Sequence, residues 1–205
     1  MNIKICGLTN IRDAQYCYQR GSWALGFNFY PKSPRYVANT IAKEMIQELP
    51  KSILKIGIYI NESYDTLLHC MDDLGLDLVQ VYAPLHDAPG TFKERVILSL
   101  PLATKNDLPP PSILDEYGYV LLDAPKIDNQ LLGGTGRCAN WVLAEKMARD
   151  YRLILAGGLN AHNARDAIQA VNPYALDLAS GVEHAYGVKD KLKINHLFEE
   201  CKHGN

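Results

Sequence analysis

The residues best placed to do chemistry are a cysteine, an aspartate and two glycine-bearing turns. The chain opens Met1-Asn2-Ile3-Lys4-Ile5-Cys6-Gly7-Leu8-Thr9. Ile3 and Ile5 alternate with Lys4 and Cys6, so the segment reads as a strand with two unlike faces. Gly7 breaks it, and Thr9 or Asn10 can cap a following helix. Cys6 is therefore the last residue of a strand, on the face that also carries Lys4. A thiol beside a cation is a candidate reactive group, with a small buried hydrophobe as the alternative for any free cysteine. Asp123 ends Tyr119-Val120-Leu121-Leu122-Asp123, where a charge fits if it reaches a site or caps a neighbouring loop. Gly157-Gly158 and Ser180-Gly181 follow two late apolar runs, and glycines so placed let backbone amides approach a phosphate. Gly133-Gly134-Thr135-Gly136 is a loop that either closes over a ligand or turns the chain.

These groups need elements to hold them. Apolar runs at Ile3–Cys6, Trp23–Phe29, Lys55–Ile60, Leu78–Val81, Val96–Leu100, Tyr119–Asp123, Arg152–Ala156 and Ala175–Leu178 predict eight strands. Helices are predicted near Ile11–Arg20, Val37–Leu49, Ser63–Leu74, Trp141–Arg149, Ala161–Val171 and Asp190–Cys201. In the fifth of these, Asn160 can cap, Ala164, Ala167, Ile168 and Val171 form one stripe, and Pro173 stops the helix. Eight strands joined by crossovers imply parallel pairing. In about 200 residues that is a minimal (β/α)8 barrel, with a doubly wound open sheet as the alternative. The strand faces favour the barrel. Leu25, Phe27 and Phe29 oppose Ala24, Gly26 and Asn28; the isoleucines 56, 58 and 60 oppose Lys55, Gly57 and Tyr59; Gln80 opposes two valines. The expectation is that greasy faces lie under the helices while small or polar faces fill the interior and mouth. Six of the eleven prolines fall between Pro84 and Pro111, so the fourth and fifth helices should be short or absent. The Pro109-Pro110-Pro111 run reads as a stiff loop. No domain boundary interrupts the pattern, so residues 1–205 read as one barrel domain.

Composition narrows the function class. A hydrophobic share of 47% places the chain among globular proteins. A net charge of -2 without a dense Lys/Arg run argues against nucleic acid as partner. The five cysteines are odd in number and lack C-x-x-C spacing, against a disulfide framework or structural zinc. A reducing cytoplasm is the expected compartment. The N-terminus has no signal-peptide pattern, and no apolar run approaches the about 20 residues that span a bilayer.

The set of motifs resembles the phosphoribosylanthranilate isomerase family of tryptophan biosynthesis. The matching segments are Lys4-Ile5-Cys6-Gly7-Leu8-Thr9, Gly26-Phe27-Asn28-Phe29 with Ser33-Pro34-Arg35, Leu76-Asp77-Leu78-Val79-Gln80, and Leu121-Leu122-Asp123. Further along they are Gly133–Gly136, Leu155–Leu159, and Ser180-Gly181-Val182-Glu183 with Gly187-Val188-Lys189-Asp190. They run through nearly the whole chain in order. The resemblance implies an α/β (β/α)8 TIM barrel of the ribulose-phosphate-binding type, with irregular fourth and fifth units. It implies an Amadori rearrangement with Asp123 as general acid and Cys6 as general base. Arg35, Gln80 and Asp177 would bind substrate, and Gly157, Gly158, Ser180 and Gly181 its phosphate. No cofactor or metal is expected. The expected partner is a small phosphosugar–anthranilate substrate, with neither nucleic acid nor membrane involved. A monomer is expected, a homodimer being the alternative. The sequence departs from the family pattern in Val81-Tyr82-Ala83-Pro84, which lacks the usual Leu-His-Gly. Cys138-Ala139-Asn140-Trp141 replaces Phe-Asp-Trp, and Ala179-Ser180 a double serine. The competing readings are another phosphosugar isomerase or epimerase, and a phosphosugar-binding barrel that has lost its activity.

The barrel reading also places Asp177 on the strand next to that of Lys4. A Lys4–Asp177 ion pair beneath the site is expected, serving either to tune Cys6 or simply to satisfy the interior.

Overall fold

The computed structural model describes residues 1–101, 105–124 and 140–202. The Gly133–Gly136 loop and Cys138 lie outside them. Eight strands close into a barrel in sequence order: β1 (Asn2–Cys6), β2 (Ala24–Asn28), β3 (Leu54–Ile58), β4 (Leu78–Val81), β5 (Val96–Pro101), β6 (Tyr119–Asp123), β7 (Leu153–Leu155) and β8 (Ala175–Leu178). Every neighbouring pair is parallel, including β1 with β8, which closes the ring. Closure leaves no edge in this sheet unpaired and brings the first and last strands together. The open-sheet alternative is thereby excluded.

The outward residues Ile3, Ile5, Leu25, Phe27, Val79, Leu98, Val120, Leu122 and Leu176 are buried under the helices. Full burial of each such side chain contributes roughly 1.5–3 kcal/mol. Inside, Ala24, Ile56, Leu78, Ile97, Leu121, Ile154 and Ala175 form a separate apolar plug. Here β3 reverses the expected rule, because Ile56 and Ile58 point inward. The reason lies in their neighbours. Ile56 pairs with Gly26, and small inward residues on β2 and β8 leave volume that only branched side chains fill. Outside, a side chain at Gly57 would press on Tyr59 and Leu76, at 2.6 and 2.7 Å, so the glycine lets the helix layer close.

Crossover helices are α1 (Ile11–Gln19), α2 (Asn39–Glu48), α3 (Tyr64–Leu74), α4 (Gly90–Lys93), α5 (Pro111–Leu114), α6 (Trp141–Asp150), α7 (Ala164–Val171) and α8 (Lys191–Lys202). As the prolines require, α4 and α5 are single turns, starting after Pro89 and Pro110. Helix α7 begins at Ala164, where its stripe begins, three residues later than the predicted start at Ala161. The Asn160 side chain instead accepts from the His162 amide, forming a turn that delays the helix. Asn172, in the left-handed conformation, ends it before Pro173. A short antiparallel hairpin, β9 (Glu183–Ala185) and β10 (Val188–Lys189), follows β8. Its pattern is too short to read as strands in the sequence. No helix among the described residues is long and apolar enough to cross a membrane.

Candidate active site

The C-terminal ends of the strands converge on one cavity. Cys6, Asn28, Ile58, Gln80, Asp123 and Asp177 enter it from the strands, and Arg35, Tyr82, Gly157, Gly158 and Ser180 from the segments that follow them. Cys6 reaches it because β1 stops there. The Gly7 and Leu8 amides both donate to the Gly26 carbonyl at 3.0 Å, and Gly7 takes φ +76°, a conformation that favours glycine. A side chain on Gly26 would come within 3.0 Å of the Cys6 sulfur, so the bare backbone of β2 makes room for the thiol.

Below the cavity the polar interior is continuous. Lys4, fully buried, donates to Asp177 Oδ1 at 2.9 Å and to Gln80 Oε1 at 3.0 Å. Gln80 Nε2 in turn donates to Ser99 Oγ at 3.0 Å and to the Tyr82 hydroxyl at 3.3 Å. The expected Lys4–Asp177 pair is present, and the amide of Gln80 is oriented from both ends.

Acidity follows the surroundings. Burial pushes Asp123 up to about 6; Asp177 adds to the rise, while the Ala124 amide and Lys4 oppose it. That amide donates to Asp123 Oδ1 at 2.7 Å. Burial also raises the Cys6 thiol above its ordinary value. Lys4 opposes this most, Asp177 reinforces it, and Lys189 and Arg35 oppose it.

Arg35 lies on one flank, held by Glu183, to which strand-end patterning gives no role. Its Nη2 donates to Glu183 Oε2 at 2.7 Å and its Nε to Glu183 Oε1 at 2.9 Å. Glu183 Oε1 also accepts from Lys189 Nζ at 2.8 Å, and Lys189 donates to the Cys6 carbonyl at 2.6 Å. Burial pushes the Glu183 carboxyl up, but the hydrogen bonds and charges of Arg35 and Lys189 outweigh it and hold it below the usual range. Two cations and one anion meet here, so the cluster carries a net positive charge, and Arg35 is its member that lines the cavity. Gly7 leaves space for it, since a side chain there would overlap the Arg35 stem.

On the opposite flank, Gly157 and Gly158 take φ +86° and +66°. A side chain on Gly157 would lie 2.6 Å from the Ala124 amide nitrogen and 3.1 Å from Asp123 Oδ1. The glycine turn therefore abuts the carboxylate. Ser180 lines the cavity beside it, while Gly181 sits behind, packed against the Leu159 carbonyl.

Eight of the nine residues singled out from sequence thus meet in one cavity, and Gly181 backs its wall. Tyr82 joins them without having been expected there, and Glu183, Lys189 and Ser99 support the lining residues from behind. Glu183 and Lys189 stand in family-like motifs, but only the hairpin turns them toward Arg35. Ser99 is a polar residue on an inward position of β5, a signal available from alternation. No group of three or more His, Cys, Asp or Glu among the described residues is arranged to hold a metal ion.

A family model described as N-(5'phosphoribosyl)anthranilate (PRA) isomerase matches residues 3–200. The chain is 39% identical over 205 residues to the N-(5'-phosphoribosyl)anthranilate isomerase of Pelobacter propionicus, covering 98% of this chain and 96% of that one. With the Syntrophus aciditrophicus isomerase it shares 38% over 195 residues, covering 94% and 83%. The solved phosphoribosyl anthranilate isomerase of Thermotoga maritima superposes with a TM-score of 0.85 at 32% identity, over 98% of each chain. A structure of such an isomerase in complex with reduced 1-(o-carboxyphenylamino)-1-deoxyribulose 5-phosphate gives a TM-score of 0.81 at 32% identity, also over 98% of each. By sequence over nearly its whole length, and by the barrel that sequence builds, the chain belongs to the N-(5'-phosphoribosyl)anthranilate isomerase family.

Proposed function

We propose that residues 1–205 act as one barrel that rearranges N-(5-phospho-β-D-ribosyl)anthranilate to 1-(2-carboxyphenylamino)-1-deoxy-D-ribulose 5-phosphate, with Asp123 as acid and Cys6 as base. The observation that carries these roles is the layout of the cavity. A carboxyl raised to about 6 and a thiol both line it. A cationic cluster flanks one side and a glycine turn the other. A substrate with a carboxylate at one end and a phosphate at the other fits that order of groups.

In the first step Asp123 gives its proton to the furanose ring oxygen. The bond from that oxygen to C1 breaks, and the nitrogen lone pair forms an iminium. In the second, the Cys6 thiolate takes the proton from C2, and the released pair forms the C1–C2 double bond of an enolamine. Loss of the enol proton and protonation of C1 give the ketone, so no atom is gained or lost. Arg35, steadied by Glu183, binds the anthranilate carboxylate with its planar fork. Asp177 and Gln80 orient the sugar-derived part. Gly157, Gly158, Ser180 and Gly181 hold the phosphate.

At neutral pH most Asp123 is ionised and most Cys6 is thiol, the reverse of what the first step needs. The reacting form is then a minor one, and its share stays constant between the two pKa values. We expect kcat/KM to run flat from about pH 6 upward and to fall only as Cys6 and Asp123 are both deprotonated. Substrate that excludes water and brings two anions raises Asp123 further and increases the reactive share. The chain acts in the cytoplasm as a monomer. The deciding experiment follows loss of phosphoribosylanthranilate fluorescence. Turnover by wild type, lost in Cys6→Ser and Asp123→Asn, is expected; full turnover by either variant would remove that residue's assigned role.

A further inference from the structure

We propose that Lys4 and Asp177 are positioning residues of opposite effect, together setting how readily the Cys6 thiol gives up its proton. This rests on the reading of Cys6 as base, but it concerns the protein before substrate binds. Lys4 and Cys6 are two residues apart on one strand and face the same way. Lys4 lies directly across from Asp177 in the β1–β8 register. Its ammonium has three protons. One goes to Asp177 and one to Gln80, and both of these partners line the same cavity as the Cys6 thiol. Gln80 cannot turn away, because Ser99 holds its other end. The cation is thereby fixed by two partners on the inward face of β1 that also carries Cys6.

A purely structural pair accounts less well for the arrangement. Taking two charges out of water costs several kcal/mol per ion, and well-packed apolar residues of similar volume often serve stability as well or better. The interior layer below consists of Ala, Ile and Leu, so the barrel already fills its centre that way. Other groups face Cys6 too. Lys189 on β10 and Arg35 on the loop after β2 are cations. Tyr82 after β4 and Asp123 at the end of β6 share its cavity. Lys4 is the cation that opposes the rise of the thiol most, and Asp177 is the anion that adds to it. The pair therefore works as a setting rather than a maximum. Lys4 alone would favour the thiolate strongly, and Asp177 moderates it.

The two single substitutions should then move Cys6 in opposite directions, which a structural pair does not do, since either change breaks it equally. The test measures iodoacetamide alkylation of Cys6 against pH in substrate-free protein, reading the Cys6 peptide by mass spectrometry to separate it from the other thiols. Lys4→Met should raise the Cys6 pKa by about 1–3 units, cutting alkylation at fixed pH about tenfold per unit. Asp177→Asn should lower it, and Lys4→Met/Asp177→Asn should fall between the two. In turnover, Lys4→Met should lower the kcat/KM plateau by the same factor and carry its alkaline limb upward. Shifts of the same sign in both single variants, or none with Asp177→Asn, would overturn the proposal. Should Lys4→Met not fold, Asp177→Asn decides alone by the same criterion. Absence of turnover in wild type would instead sink the assigned reaction while leaving the titration readable.

Discussion

At the N-terminal end of the strands the barrel closes on Trp23, Tyr119 and Tyr174. Their ring centroids lie 5.9, 5.6 and 5.6 Å apart, above them sits the apolar plug, and Arg152 covers Tyr119 from outside. At the other end the same strands finish on Lys4, Cys6, Gln80, Asp123 and Asp177. One end gains stability by excluding water from carbon. The other buries charges and loses stability by doing so. The same closed ring that makes the floor tight also brings charges from β1, β6 and β8 into one small volume. A stable floor can therefore support a costly mouth.

The contrast breaks most visibly at Asp123. Asp123→Asn should reduce kcat by about 10²–10⁴-fold, the usual contribution of a general acid. It should also stabilise the protein. The folded-state pKa of about 6 lies above the ordinary value of 3.8, so the folded protein binds the proton more tightly and loses stability as pH rises from about 4 to 6. Removing the charge should recover on the order of 3 kcal/mol above pH 6 and nothing below about pH 4. Denaturant titrations of both proteins at pH 4 and 7 give the answer. An equal difference at the two values would reject the burial account of Asp123.

Ile154→Ala, in the plug, should do the converse. It should cost about 2–5 kcal/mol of stability and leave kcat/KM of the folded enzyme within a few-fold. A large loss of turnover with unchanged stability would mean that the two ends are not separable.

Glu183→Gln should weaken substrate binding through Arg35, raising KM by roughly tenfold to a hundredfold, as expected for a charge-assisted bidentate contact worth about 1.5–3 kcal/mol. Because Glu183 titrates below the ordinary range, its contribution to stability is present at neutral pH and lost as acid protonates it. The variant should thus lose less stability on acidification than wild type. Steady-state kinetics and an acid-unfolding curve read the two effects.

The smallest effect belongs to the floor. Tyr174→Ala removes two ring contacts from a side chain already 37% exposed, and should cost about 1–2 kcal/mol without changing kcat. Thermal melts and the turnover assay together sharpen how far the two ends are independent.

Much of the fold and of the site is legible in the order of residues. Alternation puts Cys6 with Lys4 and Ala24 with Gly26 on inward faces, because a strand's period of two is fixed by the backbone. Prolines at 109–111 limit α5 to one turn. Local pattern fails where a neighbour decides. Ile56 and Ile58 point inward because the small residues of β2 leave them room, and β3 alone carries no trace of β2. Helix α7 starts late because Asn160 satisfies a turn first. The family pattern assigns Arg35 to a substrate carboxylate, yet its steady partner within the protein is Glu183, 148 positions away.

The sequence by itself determined the eight strands, their parallel sense, the two proline-shortened helices, and the residue types at each strand end. Those depend on periodicity, breakers and glycines, all local along the chain. Ring closure decided the order of the strands in the sheet. Only the tertiary structure decided that Gln80 and Ser99 tie into the expected Lys4–Asp177 pair, that Gly157 abuts Asp123, and that Lys189 and Glu183 brace Arg35 beside Cys6. Such contacts are set by ring closure and packing. The acidity of a buried group follows from whichever charges those contacts bring within a few ångströms.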